Sequence, residues 1–356
     1  MNKQTARLLE QHFDTAFDTP DGIKKLRELI LTLAMQGKLV PQDPNDQPAG
    51  ELLKEIAAEK ARLIKAGKLK PQKPLPPINP KEIPYQLPSN WQWARLEDLC
   101  EMITDGTHHT PNYVETGVPF LSVKDLSSGF LDFSNTRFIS PDEHDELKKR
   151  CCPELGDVLL TKVGTTGIAV AVDTEQEFSL FVSVALLKTI KPCVNPDYLT
   201  KLINSPLIRK FSEEGTEGVG NKNLVLRKIK AFLTPIPPIA EQKRIVARIE
   251  QLMGRCDELE RLRAERDRMR LDTHAAAINQ LLSASDSENF STAWRFITSN
   301  FAELYSVKEN VAELRKTILQ LAVMGKLVPQ NPNDQPASEL LKEIAAEKAR
   351  LIKAGK

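Results

Sequence analysis

Apolar positions in this chain follow two rhythms. Near the N-terminus Leu26, Ile30 and Leu33 recur at helical spacing, and Gly37 supplies a stop. The Pro/Asn/Asp stretch PQDPNDQPAG predicts a turn segment. GELLKEIAAEKARLIKAGK predicts a second helix, with Leu53, Ile56, Lys60 and Leu63 on one side and Gly67 closing it. KPQKPLPPINPKEIP then reads as an extended, semi-rigid linker. From Tyr85 to about Ile239 short apolar runs sit between turn signals: VPFLSV, GDVLLTKVG, GIAVAV, FSLFVSVALLKTI and KAFLTPIPPI. These predict strands, with SPDEHDEL and NPDYLTKLINSPLIRKFSEE as helices. Beyond Ala240 the helical rhythm returns. Ile245, Ile249, Leu252, Cys256 and Leu259 form a heptad seam. This predicts a helix to about Leu282, on the order of 55–60 Å long. After the polar SASDSEN, a second stripe of Leu304, Val307, Val311, Leu314, Ile318 and Leu321 predicts an antiparallel return. Ordinary bundle packing explains the same stripes; on either reading these helices are a spacer without chemistry. The expected fold class is α+β, one mixed α/β domain plus long antiparallel coiled-coil helices.

One repeat organises the chain. Residues 26–68 recur as 314–356 without a gap, and only seven of the 43 pairs differ. Those pairs are Glu28/Lys316, Leu29/Thr317, Thr32/Gln320, Met35/Val323, Gln36/Met324, Asp43/Asn331 and Gly50/Ser338. Two distant copies do not make a solenoid. They mark either a duplication without consequence or the period of a two-fold pseudosymmetric protein. The expected divisions are a helical repeat region at 1–70, a proline-rich linker at 71–84, the mixed domain at 85–239, a coiled-coil spacer at 240–325 and the second repeat copy at 326–356.

Composition narrows the possibilities. The 356 residues carry a net charge of +1, so nucleic-acid binding requires basic groups gathered on one face. The five cysteines, Cys100, Cys151, Cys152, Cys193 and Cys256, form no CxxC pair, which argues against a zinc ribbon or redox site. Their odd number, and an N-terminus without a leader-like apolar run, fit a reducing cytoplasm and no membrane association.

Several motifs approach catalytic signatures and fall short. Asn195-Pro196-Asp197-Tyr198 approaches the base-holding motif of amino-methyltransferases but lacks the second proline, and no donor-binding FxGxG turn is present. A helix start with Asn195 as N-cap explains it better. The glycine-rich run at 163–167 has no following Gly-Lys-Ser/Thr, so it is no phosphate loop. Pro141-Asp142 with Glu146-Leu147-Lys148 is too closely spaced for a nuclease, and Ser140 with Glu143 reads as a capping box. His108 and His109 lack a third metal ligand. No catalytic residue, metal or cofactor is expected. What remains suits DNA: Thr107, His108 and His109 in one turn, Lys162, Thr165 and Thr166 after a strand, and Asn221, Lys222 and Asn223 in a loop followed by Arg227. Lysines suit phosphates, while Asn and Arg suit base edges. Lys162 and Lys222 are expected on phosphate and Asn221 or Asn223 at a base edge. Each loop alone also reads as a plain surface turn.

A family resemblance joins these segments. Residues 87–91 (LPSNW), 105–108 (DGTH), 118–125 (VPFLSVKD, with Lys124), 156–159 (GDVL) with Thr161-Lys162, and 236–245 (IPPIAEQKRI) resemble the recurring pattern of type I restriction-modification specificity subunits. The proline stop followed by AEQ-R-I and a long helix is the most specific part. The resemblance covers nearly the whole chain. It implies a non-catalytic subunit whose target-recognition domain reads double-stranded DNA. It also implies helices that dock methyltransferase subunits and, through them, restriction subunits. Family members carry two recognition domains and this chain carries one, so a half-subunit and a truncated product both stand. The family's DNA contacts vary, so the candidate residues above rest on loop chemistry. A homodimer of two such chains would read an interrupted palindrome. The rival classes are a structural coiled-coil adaptor and a self-sufficient methyltransferase or nuclease.

Overall fold

The computed structural model describes residues 17, 19, 21–71, 73–191, 193–217 and 222–355. The repeat folds as its spacing predicts. Helix α1 spans Gly22–Met35 and α2 spans Ala49–Lys65. Gly37 ends α1 with φ of +65°, a left-handed conformation that costs glycine nothing. Its N–H donates to the Ala34 carbonyl, and Lys38 N–H donates to the Leu33 carbonyl at 2.9 Å, which satisfies the last turn. Ile30, Ala34, Leu52 and Ile56 then turn inward into the main core.

The mixed domain is built on strands β1 Gln92–Arg95, β2 Cys100–Asp105, β3 Tyr113–Val114, β4 Val118–Leu121, β5 Arg137–Ile139, β6 Val158–Thr161, β7 Ala169–Ala171, β8 Ser179–Leu180, β9 Val184–Thr189, β10 Thr216–Glu217, β11 Asn223–Leu224 and β12 Leu233–Ile236. The central sheet has the order β2-β9-β6-β7 and is antiparallel throughout. Alternation along its strands feeds two cores. Val158 and Leu160 of β6 and Ala185 and Leu187 of β9 face the core shared with α1 and α2. Leu159, Val184 and Leu186 face a smaller core with Leu121, Leu126 and Phe178. A sheet buried on both faces explains why these segments read as unbroken apolar runs. The smaller core is closed by the second sheet, β3-β5-β4-β8, in which only β4 and β8 run parallel. Two short strand pairs, β1 with β12 and β10 with β11, complete the domain.

Helix α3 is the single turn Leu96–Leu99, and α4 is Pro141–Lys148. The Ser140 hydroxyl accepts from Glu143 N–H at 3.2 Å, while the Glu143 carboxylate accepts from Asn112 N–H instead of closing the expected capping box. The side chain of Asn195 caps α5, Pro196–Ile203, by accepting from Tyr198 N–H at 2.9 Å. That geometry is the helix start expected for this motif. Helix α6, Pro206–Gly215, and α7, Leu226–Lys230, flank the β10–β11 hairpin in sequence.

The long helix α8 spans Ile239–Ser283. The chain divides into two compact units within it, one ending at Leu259 and one beginning at Glu260. In the first unit Ile245, Ile249 and Cys256 are buried in the core that α1 and α2 share. In the second unit α9 is Ser287–Ser299, α10 is Phe301–Leu304, α11 is Lys308–Val323 and α12 is Ala337–Lys353. The expected two-helix hairpin is corrected here. Helix α9 makes the antiparallel return, its Ala293 and Ile297 packing with Ala277, Ile278 and Leu281. Asn310 donates to the Arg270 carbonyl and Lys326 to the Leu282 and Ala284 carbonyls, so α11 runs parallel to α8. A heptad stripe specifies a buried seam but not the direction of its partner.

Candidate nucleic-acid interface

Strands β2 and β6 flank β9 and run parallel to one another, so their C-terminal ends emerge at one edge of the sheet. Asp105 closes β2, Lys162 follows β6, and Ser183 precedes β9. These positions are far apart in sequence and adjacent in space. The Asp105 carboxylate is buried and accepts from Lys162 Nζ at 3.1 Å, Arg150 Nη2 at 2.7 Å and His108 Nε2 at 3.2 Å. Two cations around one buried anion give a local positive excess.

This arrangement corrects one expectation. Lys162 is only 4% exposed and donates to Asp105 and to the Val182 carbonyl, so its ammonium is not presented to a phosphate. It ties the loop that it begins to the end of β2. Past it, Gly164 adopts φ of +78° with open space where a side chain would lie. Its N–H donates to the Lys222 carbonyl at 2.9 Å, and Val163 bridges to Asn223. The 162–167 loop and the β10–β11 hairpin therefore form one surface, joined also by Thr166 and Thr216 at 3.4 Å.

The other candidates fall into three groups. Lys222, Thr165, His109 and Arg227 are exposed, Arg227 on α7. Lys124 is half-exposed at the side chain, with Nζ on the Asn135 carbonyl at 2.7 Å. Thr107 and Asn223 are turned inward. The Thr107 hydroxyl lies 2.7 Å from His109 Nδ1, and the Asn223 amide oxygen is buried without a hydrogen-bond partner among the described residues. Asn223 is thus less suited to a base edge than its type suggests. Asn221 lies outside the described residues. Val123 N–H donates to Ser183 Oγ at 3.0 Å, which brings Ser122 and Lys124 to the same edge.

Sequence reasoning missed Arg150, Tyr113, Arg137 and Ser183. Arg150 ends the α4 turn and reaches Asp105 across 45 residues. Arg137 lies over the Tyr113 ring, 4.4 Å from its centroid. The signal available for Tyr113 and Arg137 was an aromatic and a cation in short strands of the second sheet, too brief to show alternation.

Among the described residues the buried cysteines are not primed as nucleophiles. Burial pushes the Cys151 thiol up to about 12, and Cys100 likewise to about 12, so neither is a thiolate near neutrality. Among the described residues no three His, Cys, Asp or Glu side chains are grouped to hold a metal ion, and no helix is long and apolar enough to cross a membrane.

Comparison with known proteins decides the family. The model of the type I restriction modification DNA specificity domain matches residues 88–266, half of the chain. This chain belongs to that family. The specificity subunit of the type I restriction enzyme EcoAI from Escherichia coli is 39% identical over 94% of this chain and 57% of its own length. The EcoEI specificity subunit, also from Escherichia coli, is 38% identical over the same shares. The chain thus spans little more than half the length of these relatives. A crystal structure of the HsdS subunit from Thermoanaerobacter tengcongensis superposes with a TM-score of 0.40 at 18% identity, covering 67% of this chain and 50% of that one.

Proposed function

We propose that this specificity-family chain reads one half of a bipartite DNA target and presents it to methyltransferase subunits, and through them to restriction subunits, without catalysing a step itself. The observation that carries the reading is the single edge at which the 105–109, 122–124, 162–167 and 222–223 segments meet. Cations and hydroxyls face outward there over a buried Asp105. Lys222 is the phosphate contact and Thr165, His108 and His109 are groove-facing groups. Mapping methylated sites on DNA exposed to the chain with its methyltransferase partner tests this. A reproducible sequence motif supports it, and methylation without sequence preference overturns it. The isolated chain is expected neither to hydrolyse ATP nor to bind a methyl donor, and stoichiometric donor binding in calorimetry would sink the non-catalytic reading.

The repeat supports a further element, a homodimer. The first copy is clamped to its own domain. Ala49 N–H donates to the Asn90 carbonyl, Lys60 Nζ to the Glu97 carbonyl, Gln42 to Glu241, and Asp46 pairs with Arg244. The second copy carries the same groups as Ala337, Lys348, Gln330 and Asp334. Its apolar face, Leu340, Leu341 and Ile344, is exposed. A two-fold pair of chains in which each covers the other's second copy would bury that face. Light scattering with and without the methyltransferase tests the dimer. A chain that is monomeric in both conditions, or an asymmetric methylation site, overturns it.

A further inference from the structure

The second sheet carries a cation, Arg137, that makes no ion pair among the described residues. Arg137 stands on β5 and Tyr113 on β3, where Tyr113 pairs with Ile139. Arg137 is therefore the diagonal neighbour of Tyr113 on one face, within reach of a long side chain. Its guanidinium carbon sits 4.4 Å from the ring centroid. Tyr113 is braced by an edge contact to Phe120, and Phe120 by another to Phe181, each at 6.0 Å between centroids. The cleft beside them, about 490 Å³, is bordered by Ser122, Lys124, Gly164 and Ser183, so it opens onto the edge where the loops converge. Arg137 is exposed.

A phosphate contact needs only a charge, which an exposed lysine such as Lys222 supplies. A guanidinium held over a ring differs in kind. Part of its rotamer freedom is already lost, and its donor fork has a fixed plane. That is the requirement for bidentate recognition of a guanine, whose O6 and N7 lie side by side in the major groove. We infer that Arg137, positioned by Tyr113, is a base-reading residue that takes the major-groove edge of a guanine. The inference rests on the DNA-reading function proposed above.

The test is selection from randomised duplexes by the full chain with its methyltransferase partner, comparing wild type with Arg137→Ala, Arg137→Lys and Tyr113→Leu. Wild type is expected to select a motif containing a guanine that Arg137→Ala no longer requires. Affinity for the motif falls roughly 10- to 100-fold, while affinity for unrelated DNA and its salt dependence stay unchanged. Arg137→Lys keeps the charge without restoring the preference, and Tyr113→Leu falls between. A uniform weakening on all sequences, with a salt slope flatter by about one, makes Arg137 a phosphate contact and overturns the inference. An unchanged motif, or a wild-type motif without guanine, overturns it while leaving the DNA-reading function standing. No sequence selection by wild type overturns both. Thermal melting of each variant checks the fold, and Arg137 is exposed, so its removal leaves no cavity.

Discussion

Replacing Ile56 by Ala, and separately Ile344 by Ala, places one chemical change into two helices of nearly one sequence. Helices α2 and α12 differ only at Gly50/Ser338, so the gain in helix propensity, at most several tenths of a kcal/mol, is common to both. The surroundings differ. Ile56 is 1% exposed among Leu52, Ala49 and the main core, whereas Ile344 is 54% exposed. Truncating a buried isoleucine costs about 2–5 kcal/mol through lost transfer energy and a residual cavity. Truncating an exposed one falls within about 0.5 kcal/mol of neutral. The expected difference is about 2–5 kcal/mol. At roughly 2–4 °C per kcal/mol for a unit of this size, Ile56→Ala lowers Tm by on the order of 5–15 °C and Ile344→Ala barely moves it. Calorimetry at a concentration where light scattering reports a monomer is the assay. Equal shifts for the two variants, or an Ile56→Ala transition within a degree of wild type, would refute the reasoning. If dimers form at higher concentration, Ile344→Ala acquires a penalty there that it lacks in the monomer.

Asp105→Asn leaves the Lys162 ammonium buried without its anion and should cost about 3–5 kcal/mol in urea denaturation; adding Lys162→Met should recover most of it, and a neutral single variant would dismiss the tie. Lys222→Ala should weaken binding to every DNA and flatten the salt dependence by about one, whereas Lys162→Ala should leave the slope unchanged; the reverse result would restore Lys162 as the phosphate contact. Burial holds the Glu241 carboxyl above its ordinary value, against hydrogen bonds from Trp91 and Gln42 that pull it down. The folded chain therefore keeps that proton longer than the unfolded one, so this contribution is present at low pH and lost as pH rises through the raised value. Glu241→Gln should flatten that part of the stability profile in denaturation midpoints taken from acid to neutral pH.

The helices were legible because their signals are local. Leu26, Ile30 and Leu33 lie on one face whatever they pack against, and Gly37 stops the helix by its own backbone freedom. The five apolar runs became strands for the same reason, with FSLFVSVALLKTI broken by a turn at 181–183 into β8 and β9. Strand β2 was missed because Glu101 and Asp105 lie in it, and Asp105 is tolerable there only beside Lys162 and Arg150. The burial of Lys162 depends on a residue 57 positions away, which spacing does not report. The loops were found by composition, but which side chains face outward was decided by pairing across the fold. Thr107 and Asn223 turned in, while Arg137, in a strand of three residues, turned out.

The buried carboxylate at Asp105 separates what must stay constant in this domain from what is free to drift. It fixes the start of one loop through Lys162 and the end of α4 through Arg150, beneath exposed side chains that make no contact with it. Thr165, Lys222 and His109 are exposed, and substitutions there leave that anchor untouched. If the domain reads DNA as proposed, a new sequence preference is reachable by single exposed replacements, each near neutral for folding. Changes at Asp105 or Lys162 must come in pairs. On that function, new targets are reached in small steps, without passing through an unfolded intermediate.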